Sequence, residues 1–152
     1  MDITEFLTAC VAEDEVVAKA VGVGMRDTWH TIEWYDGQFK NGRPVSVDIH
    51  GLAGTPITSC GALLRQDGEH IARHDPARVL REVAAKRRVL ARHRSPAEGE
   101  WRPGDFDRYC VGCQVDIDTG VPYTDDINDC PELCDMASVY ADRPGCKEEW
   151  KL

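Results

Sequence analysis

Four of the chain's seven cysteines fall in one short stretch, and that stretch constrains the fold more than any other feature. They are arranged as Cys110-Val-Gly-Cys113, a gap of 16 residues, and Cys130-Pro-Glu-Leu-Cys134. The pattern C-x2-C…C-x3-C has metal-ligand spacing. The gap, Gln114 to Asp129, contains seven Asp, Gly or Pro residues and few aliphatics. A segment so composed cannot bury enough apolar surface to hold itself together, and a metal staple would replace the missing core. Zinc takes four ligands in a tetrahedron, with Zn–S near ~2.3 Å. A tight turn over Cys110–Cys113 puts two sulfurs on one side of such an ion, and Gly112 is expected to supply a φ > 0 position there. Pro131 suits the first position of a helix, and Cys130 and Cys134, four apart, are expected to share a helix face. The residues therefore predict a structural Zn2+ held by Cys110, Cys113, Cys130 and Cys134.

Three alternatives stand beside that expectation. The thiols can be unligated and buried, since free Cys behaves as a small hydrophobe. Cys110-Val-Gly-Cys113 can be a redox motif, although such a motif should open a helix and Gln114–Gly120 reads as strand and turn. The zinc can be catalytic, which normally requires three protein ligands and an open position. A disulfide framework is disfavoured by the odd number of cysteines and by the start of the chain. Met1-Asp-Ile-Thr-Glu5 has no basic region before an apolar stretch, so no signal peptide is expected and a cytoplasmic location is. Cys10 falls on the apolar side of a helical pattern, while Cys60 and Cys146 show no informative spacing.

Length and charge bound the rest. At 152 residues the prior is one compact domain with a small appendage. With 42% hydrophobic and 30% charged residues, a wholly disordered chain is excluded. No apolar run approaches the ~20 residues that span a bilayer, so no membrane is expected among its partners. The net charge of −9 is uneven. Residues 1–72 carry 11 acids and 5 bases, residues 73–108 carry 6 and 10, and residues 109–152 carry 10 and 3. The acidic total disfavours long-range attraction to nucleic acid. The basic middle, which includes Arg78, Arg81, Lys86, Arg87, Arg88, Arg92 and Arg94, reads first as a solvated helix face. Its candidate binding residues are Arg78, Arg81, Arg88 and Arg92.

Periodicity places the elements. Asp2-Ile-Thr-Glu5 is a capping-box variant, and Ile3, Phe6, Leu7, Cys10, Val17, Ala20 and Val21 recur at helical spacing until Gly22 and Gly24. Residues 28–35 are rich in β-branched and aromatic residues. Asp36-Gly37 and Asn41-Gly42 are turn signals, and Val45, Val47 and Ile49 alternate with polar residues. These features predict a two- or three-stranded antiparallel meander whose buried face carries Trp29, Trp34 and Phe39. Residues 57–64 read as a further strand or strand end, leading to a turn at Asp67-Gly68. Asp75-Pro76 is a strong helix start, followed by Val79, Leu80, Val83 and Leu90 on one face to about His93. A last helix over 131–140 carries Leu133, Met136, Ala137 and Tyr140. The expected class is α+β: an N-terminal helix, a small antiparallel meander, a long central helix, and a zinc-stapled C-terminal segment with a short helix. The expected division is an α+β core over 1–94 and a Cys-rich metal-binding segment over 95–152 packed on it.

His70 and His74 are four apart, the spacing used by zinc peptidases, but Ile71 stands where the general-base Glu belongs. They read as ordinary polar histidines, with a metal hydrolase as the remote alternative. His93 closes the basic helix, where a cation suits the helix dipole. It also lies shortly before the metal segment and is a further candidate ligand.

The run His70-Ile-Ala-Arg-His-Asp-Pro-Ala-Arg-Val-Leu-Arg-Glu-Val83, with Ala85-Lys-Arg-Arg-Val-Leu90, resembles the hallmark of a family of unknown function found in actinobacteria and their phages. The start, Phe6-Leu to Glu13-Asp-Glu15, and the end, Cys130-Pro-Glu-Leu133 through Val139-Tyr-Ala-Asp142 to Glu148-Glu-Trp150, are similar to that family's ends. The resemblance implies no reaction. It does imply that cysteine is usual at the positions of Cys110, Cys113 and Cys130 and less so at that of Cys134, which makes His93 the substitute fourth ligand.

A metal-ligand pattern with no catalytic set beside it predicts a small, zinc-stabilised, non-enzymatic protein that binds another protein, of phage origin on the resemblance. The alternatives are a nucleic-acid binder using the basic helix 78–94, and an acidic decoy of nucleic acid.

Overall fold

The computed structural model describes residues 1–21, 29–34, 46–51, 54, 56–60, 65–104 and 106–151. Helices and strands are both present, and the chain gathers into two compact units. One comprises Met1–Glu13 with Ala84–Leu152, the other Asp14–Val83.

Helix α1 (Ile3–Ala20) begins where the capping residues require. The Asp2 carboxylate accepts from the backbone N–H of Thr4 at 2.9 Å and of Glu5 at 3.0 Å, while Glu5 accepts from the Asp2 N–H at 2.9 Å. This reciprocal arrangement satisfies donors that a bare helix start would leave open. Ile3, Phe6, Leu7, Cys10 and Val11 are buried along one stripe. Each large aliphatic or aromatic side chain so buried stabilises by roughly 1.5–3 kcal/mol. Gly22 and Gly24 lie outside the described residues.

In the unit Asp14–Val83, three strands form an antiparallel sheet in the order β1 (Trp29–Trp34), β2 (Ser46–Gly51), β3 (Pro56–Cys60). Trp29 pairs with Gly51 and Trp34 with Ser46, and the β2–β3 register shifts between Ile49 and His50. Ile49 is fully buried and Trp29 half-buried. The side chain of Trp34, Phe39, and the expected turns Asp36-Gly37 and Asn41-Gly42 lie outside the described residues. Asp67-Gly68, read from sequence as a turn, is instead inside helix α2 (Arg65–Arg73). This helix packs against β1 and β2, and Gly68 is buried. Packing there overrides the ~1 kcal/mol that glycine costs a helix.

Helix α3 (Pro76–Arg92) opens with Asp75 as cap, whose carboxylate accepts from the Arg78 N–H at 2.6 Å. Pro76 is buried at the first helical position, where its missing N–H is no loss.

In the unit Met1–Glu13 with Ala84–Leu152, the core joins Ile3, Phe6, Leu7 and Cys10 to Cys110, Ile127, Cys130, Leu133, Ala137, Tyr140 and Trp150. Helix α4 (Pro131–Ser138) contributes Leu133 and Ala137 from one face. Trp150 is fully buried, with its ring 5.5 Å from that of Phe6. No helix of the described residues is long and apolar enough to cross a membrane.

Candidate metal centre

Three segments of that unit converge. His93 follows the end of α3, Cys110 is the N-cap and Cys113 the last residue of a 3-10 turn at Val111–Cys113, and Cys130 is the N-cap of α4. Backbone hydrogen bonds hold the segments in place. Val111 N–H donates to Arg94 O at 3.0 Å, Cys110 N–H to Thr124 O at 3.0 Å, and Ile127 N–H to Arg108 O at 2.8 Å. The chain between Cys113 and Cys130 doubles back through a bridge between Val115 and Pro122. The Asp116 carboxylate closes that turn, accepting from the N–H groups of Asp118 and Thr119 at 3.0 and 2.8 Å. The second cysteine segment is tied to α1, because Asn128 Oδ1 accepts from the Ile3 N–H at 3.0 Å.

The ligating atoms of His93, Cys110, Cys113 and Cys130 all lie within 4.8 Å of one another. His93 Nδ1 is 3.5 Å from Cys110 Sγ, 3.8 Å from Cys113 Sγ and 3.4 Å from Cys130 Sγ. Cys130 Sγ is 3.5 Å from Cys110 Sγ and 3.6 Å from Cys113 Sγ. A tetrahedral ion with metal–sulfur bonds near ~2.3 Å and metal–nitrogen bonds near ~2.0–2.1 Å spaces its donors about 3.6–3.8 Å apart. These five separations match within a few tenths of an ångström, so the four residues are compatible with a four-coordinate metal.

Cys110 and Cys130 are fully buried and His93 is 9% exposed, while Cys113 is half-buried. The hydrogen bond shared with Cys130 draws the Cys110 thiol down to about 5, and Cys130 is pushed well up by the same bond. Burial pushes Cys113 up. A bound cation would draw the protons from these thiols, because the thiolate is the ligating form.

Gly112 holds its place for a different reason from the one spacing suggests. Its φ is not positive; the left-handed residue of this turn is Gln114, at φ 69°. A Cβ on Gly112 would stand 2.8 Å from Arg92 O and 2.8 Å from the Cγ and Nδ1 atoms of His93. Close approach of the turn to the histidine, not turn conformation, requires glycine here.

Cys134 stands outside the group, its thiol donating to Asn128 O at 3.3 Å. The four-residue spacing would align it with Cys130 only if both were helical. Cys130 is an N-cap with ψ 116°, so its side chain leaves the direction a helical residue would take. The six described cysteines, Cys10, Cys110, Cys113, Cys130, Cys134 and Cys146, are free thiols. The Cys60 side chain is not among those described.

Glu132, which spacing did not single out, also reaches the cluster. Its Oε2 is 3.6 Å from Cys113 Sγ, 3.5 Å from Cys130 Sγ and 3.8 Å from His93 Nδ1. The only signal for it in the sequence is its place two residues after Cys130.

The remaining candidates are separate from this site. Arg78, on α3, is ion-paired with Glu82 at 2.7 Å. Arg81, Arg88 and Arg92 are exposed on the same helix and, among the described residues, take part in no ion pair. The rings of His70 and His74 are 4.4 Å apart, and His74 Nδ1 is hydrogen-bonded to His70 O at 2.8 Å. No third ligating side chain joins them among the described residues.

Fold and site together define a mixed helix-and-strand protein with a buried Cys3His cluster suited to one metal ion. Over residues 1–152 the chain matches the model of the "Family of unknown function (DUF6221)", and it belongs to that family. Comparison with curated proteins and with solved structures finds no match.

Proposed function

We propose that this chain is a non-enzymatic protein whose C-terminal segment is closed by one structural Zn2+ on His93, Cys110, Cys113 and Cys130, and that it acts by binding another protein. The observation that carries the reading is the gathering of four protein donor atoms within 4.8 Å of one another. A full set of four protein ligands is the mark of structural zinc, whereas catalytic zinc keeps a position for water or substrate. Three thiolates and an imidazole favour zinc over hard cations such as Mg2+ or Ca2+. The loop carried between the ligand pairs supports the binding role. Ile117 is 99% exposed, with Tyr123 and Val121 also exposed, in a segment rich in aspartate. Apolar side chains displayed on a well-braced acidic loop suit a protein surface with an apolar pocket and basic rim.

The test is elemental analysis of the purified chain with melting before and after chelation. The reading expects one zinc per chain and a large fall in melting temperature on its removal. Structural zinc in finger peptides binds with about 10–16 kcal/mol, so its loss should cost the fold of this segment. Protein that carries no zinc, or that melts unchanged after chelation, defeats the reading.

A second reading, nucleic-acid binding through α3, is favoured by the exposed Arg81, Arg88 and Arg92, which have no carboxylate partner among the described residues. It requires binding to DNA or RNA that weakens steeply with salt. Binding that is absent at low salt eliminates it.

A further inference from the structure

The donors of the cluster are not equally protected. Cys110 and Cys130 are fully buried and His93 nearly so, which leaves Cys113 as the ligand that reaches solvent. The Glu132 carboxylate covers the same side. One of its oxygens lies within 3.8 Å of three donor atoms, those of His93, Cys113 and Cys130. Its side chain is 54% exposed and therefore free to turn. A cleft of about 340 Å³ between α3 and α4, lined by Val89, His93, Glu132 and Met136, opens beside it. The turn that carries Cys113 is itself under tension. It ends at Gln114, a non-glycine residue at φ 69°, a backbone region that side chains disfavour.

We propose that Glu132 is an alternate ligand of the metal, which enters through the face of His93, Cys113 and Cys130 and exchanges with Cys113. This inference rests on the Cys3His reading above. In the exchange one metal–sulfur bond to Cys113 breaks and one metal–oxygen bond to Glu132 forms. The electron pair of the broken bond stays on sulfur, the departing thiolate takes a proton from solvent, and nothing is oxidised or reduced. Cys110, Cys130 and His93 hold the ion throughout, because burial leaves them no room to depart. The site then has a protected three-ligand base and one exchangeable corner, the geometry needed to load or surrender a metal without unfolding.

The experiment uses the full chain loaded with Co2+, whose thiolate charge-transfer and ligand-field bands report donor type and coordination number. In wild-type protein the bands should indicate three thiolates and four-coordination. Cys113→Ala should retain stoichiometric Co2+ with a two-thiolate spectrum, and adding Glu132→Gln should weaken binding by about tenfold or more, a typical loss when a partner of a metal site is removed. Equal affinity of Cys113→Ala with and without Glu132→Gln overturns the proposal. Transfer of Zn2+ from otherwise wild-type protein to a chelator provides a second measure, should Cys113→Ala not fold. Glu132→Gln should slow that transfer several-fold, since the entering oxygen assists the departure of sulfur. A rate that is unchanged or faster overturns the exchange. Wild-type protein that binds neither metal overturns the Cys3His reading itself, an outcome distinct from a metal site indifferent to Glu132.

Discussion

The first turns of α1, up to Glu13, and the Cys-rich segment belong to one compact unit yet are built in opposite ways. Residues 3–11 form their element from local information: a reciprocal cap, then Ile3, Phe6, Leu7, Cys10 and Val11 at helical spacing. Each feature contributes separately, so the helix can lose one and keep the rest. Residues 106–130 have two 3-10 turns, one bridge and a few capped loops, and their most buried members include Cys110 and Cys130. If that region holds the proposed metal, its ligands act together, and a fault at one corner is felt at all four. On the proposed reading, cooperative stabilisation by a metal and additive stabilisation by packing coexist within one unit.

The sharpest way to break this contrast is Gly112→Ala. The added methyl has no space between Arg92 O and the His93 ring. Displacement of His93 should lower metal affinity by about 10–100-fold, the range seen when the supports of a metal site are removed. Competition with a chromophoric chelator measures it, and an unchanged affinity would show that the turn can relax. Larger in free energy is Phe6→Ala, which removes the ring packed on Trp150. It should destabilise by about 3–5 kcal/mol in denaturant melts while leaving metal stoichiometry at one. Loss of the metal in that variant would blur the distinction between the two regions. Smaller than both, Asp2→Ala removes the cap of α1 and should cost about 1 kcal/mol.

The smallest effect is expected from the exposed Arg94–Glu100 pair, two hydrogen bonds of 2.6 and 2.7 Å just after His93. The Arg94 guanidinium, with help from the Ala97 N–H, holds the Glu100 carboxyl at about 2 against an ordinary 4.5. Because the folded value is the lower one, the pair contributes fully above pH 4.5 and loses its contribution as pH falls toward about 2. The difference in denaturant midpoint between wild type and Glu100→Gln should accordingly shrink on acidification through that window. A difference that stays constant with pH would assign the pair no role in stability.

Much of this organisation is legible in the residues because its causes are local. Asp2 with Glu5, and Asp75 with Pro76, mark helix starts that any backbone at those positions would use. The C-x2-C turn and Cys130 likewise announce donors through short-range spacing. What spacing cannot convey is side-chain direction at an element boundary. Cys134 is four residues from Cys130, but the two do not converge because Cys130 is an N-cap rather than a helical residue. His93, 17 residues before Cys110, is suggested only as a substitute ligand from sequence, because its approach depends on how α3 ends against the turn at Gly112. Asp67-Gly68 misleads for a related reason. Its turn propensity is local, while the helix that contains it is imposed by contact with the sheet.

The hydrogen bond from the Ile3 N–H to Asn128 has one more consequence. Asn128 lies two residues before Cys130 of the candidate metal centre, and Ile3 is the first residue of a helix more than a hundred positions away. Deuterium uptake at that single amide should therefore act as a remote gauge of occupancy. It should be slow when the ion pins the loop and fast when the loop is released, and it gives a signal without a probe placed anywhere near the thiols.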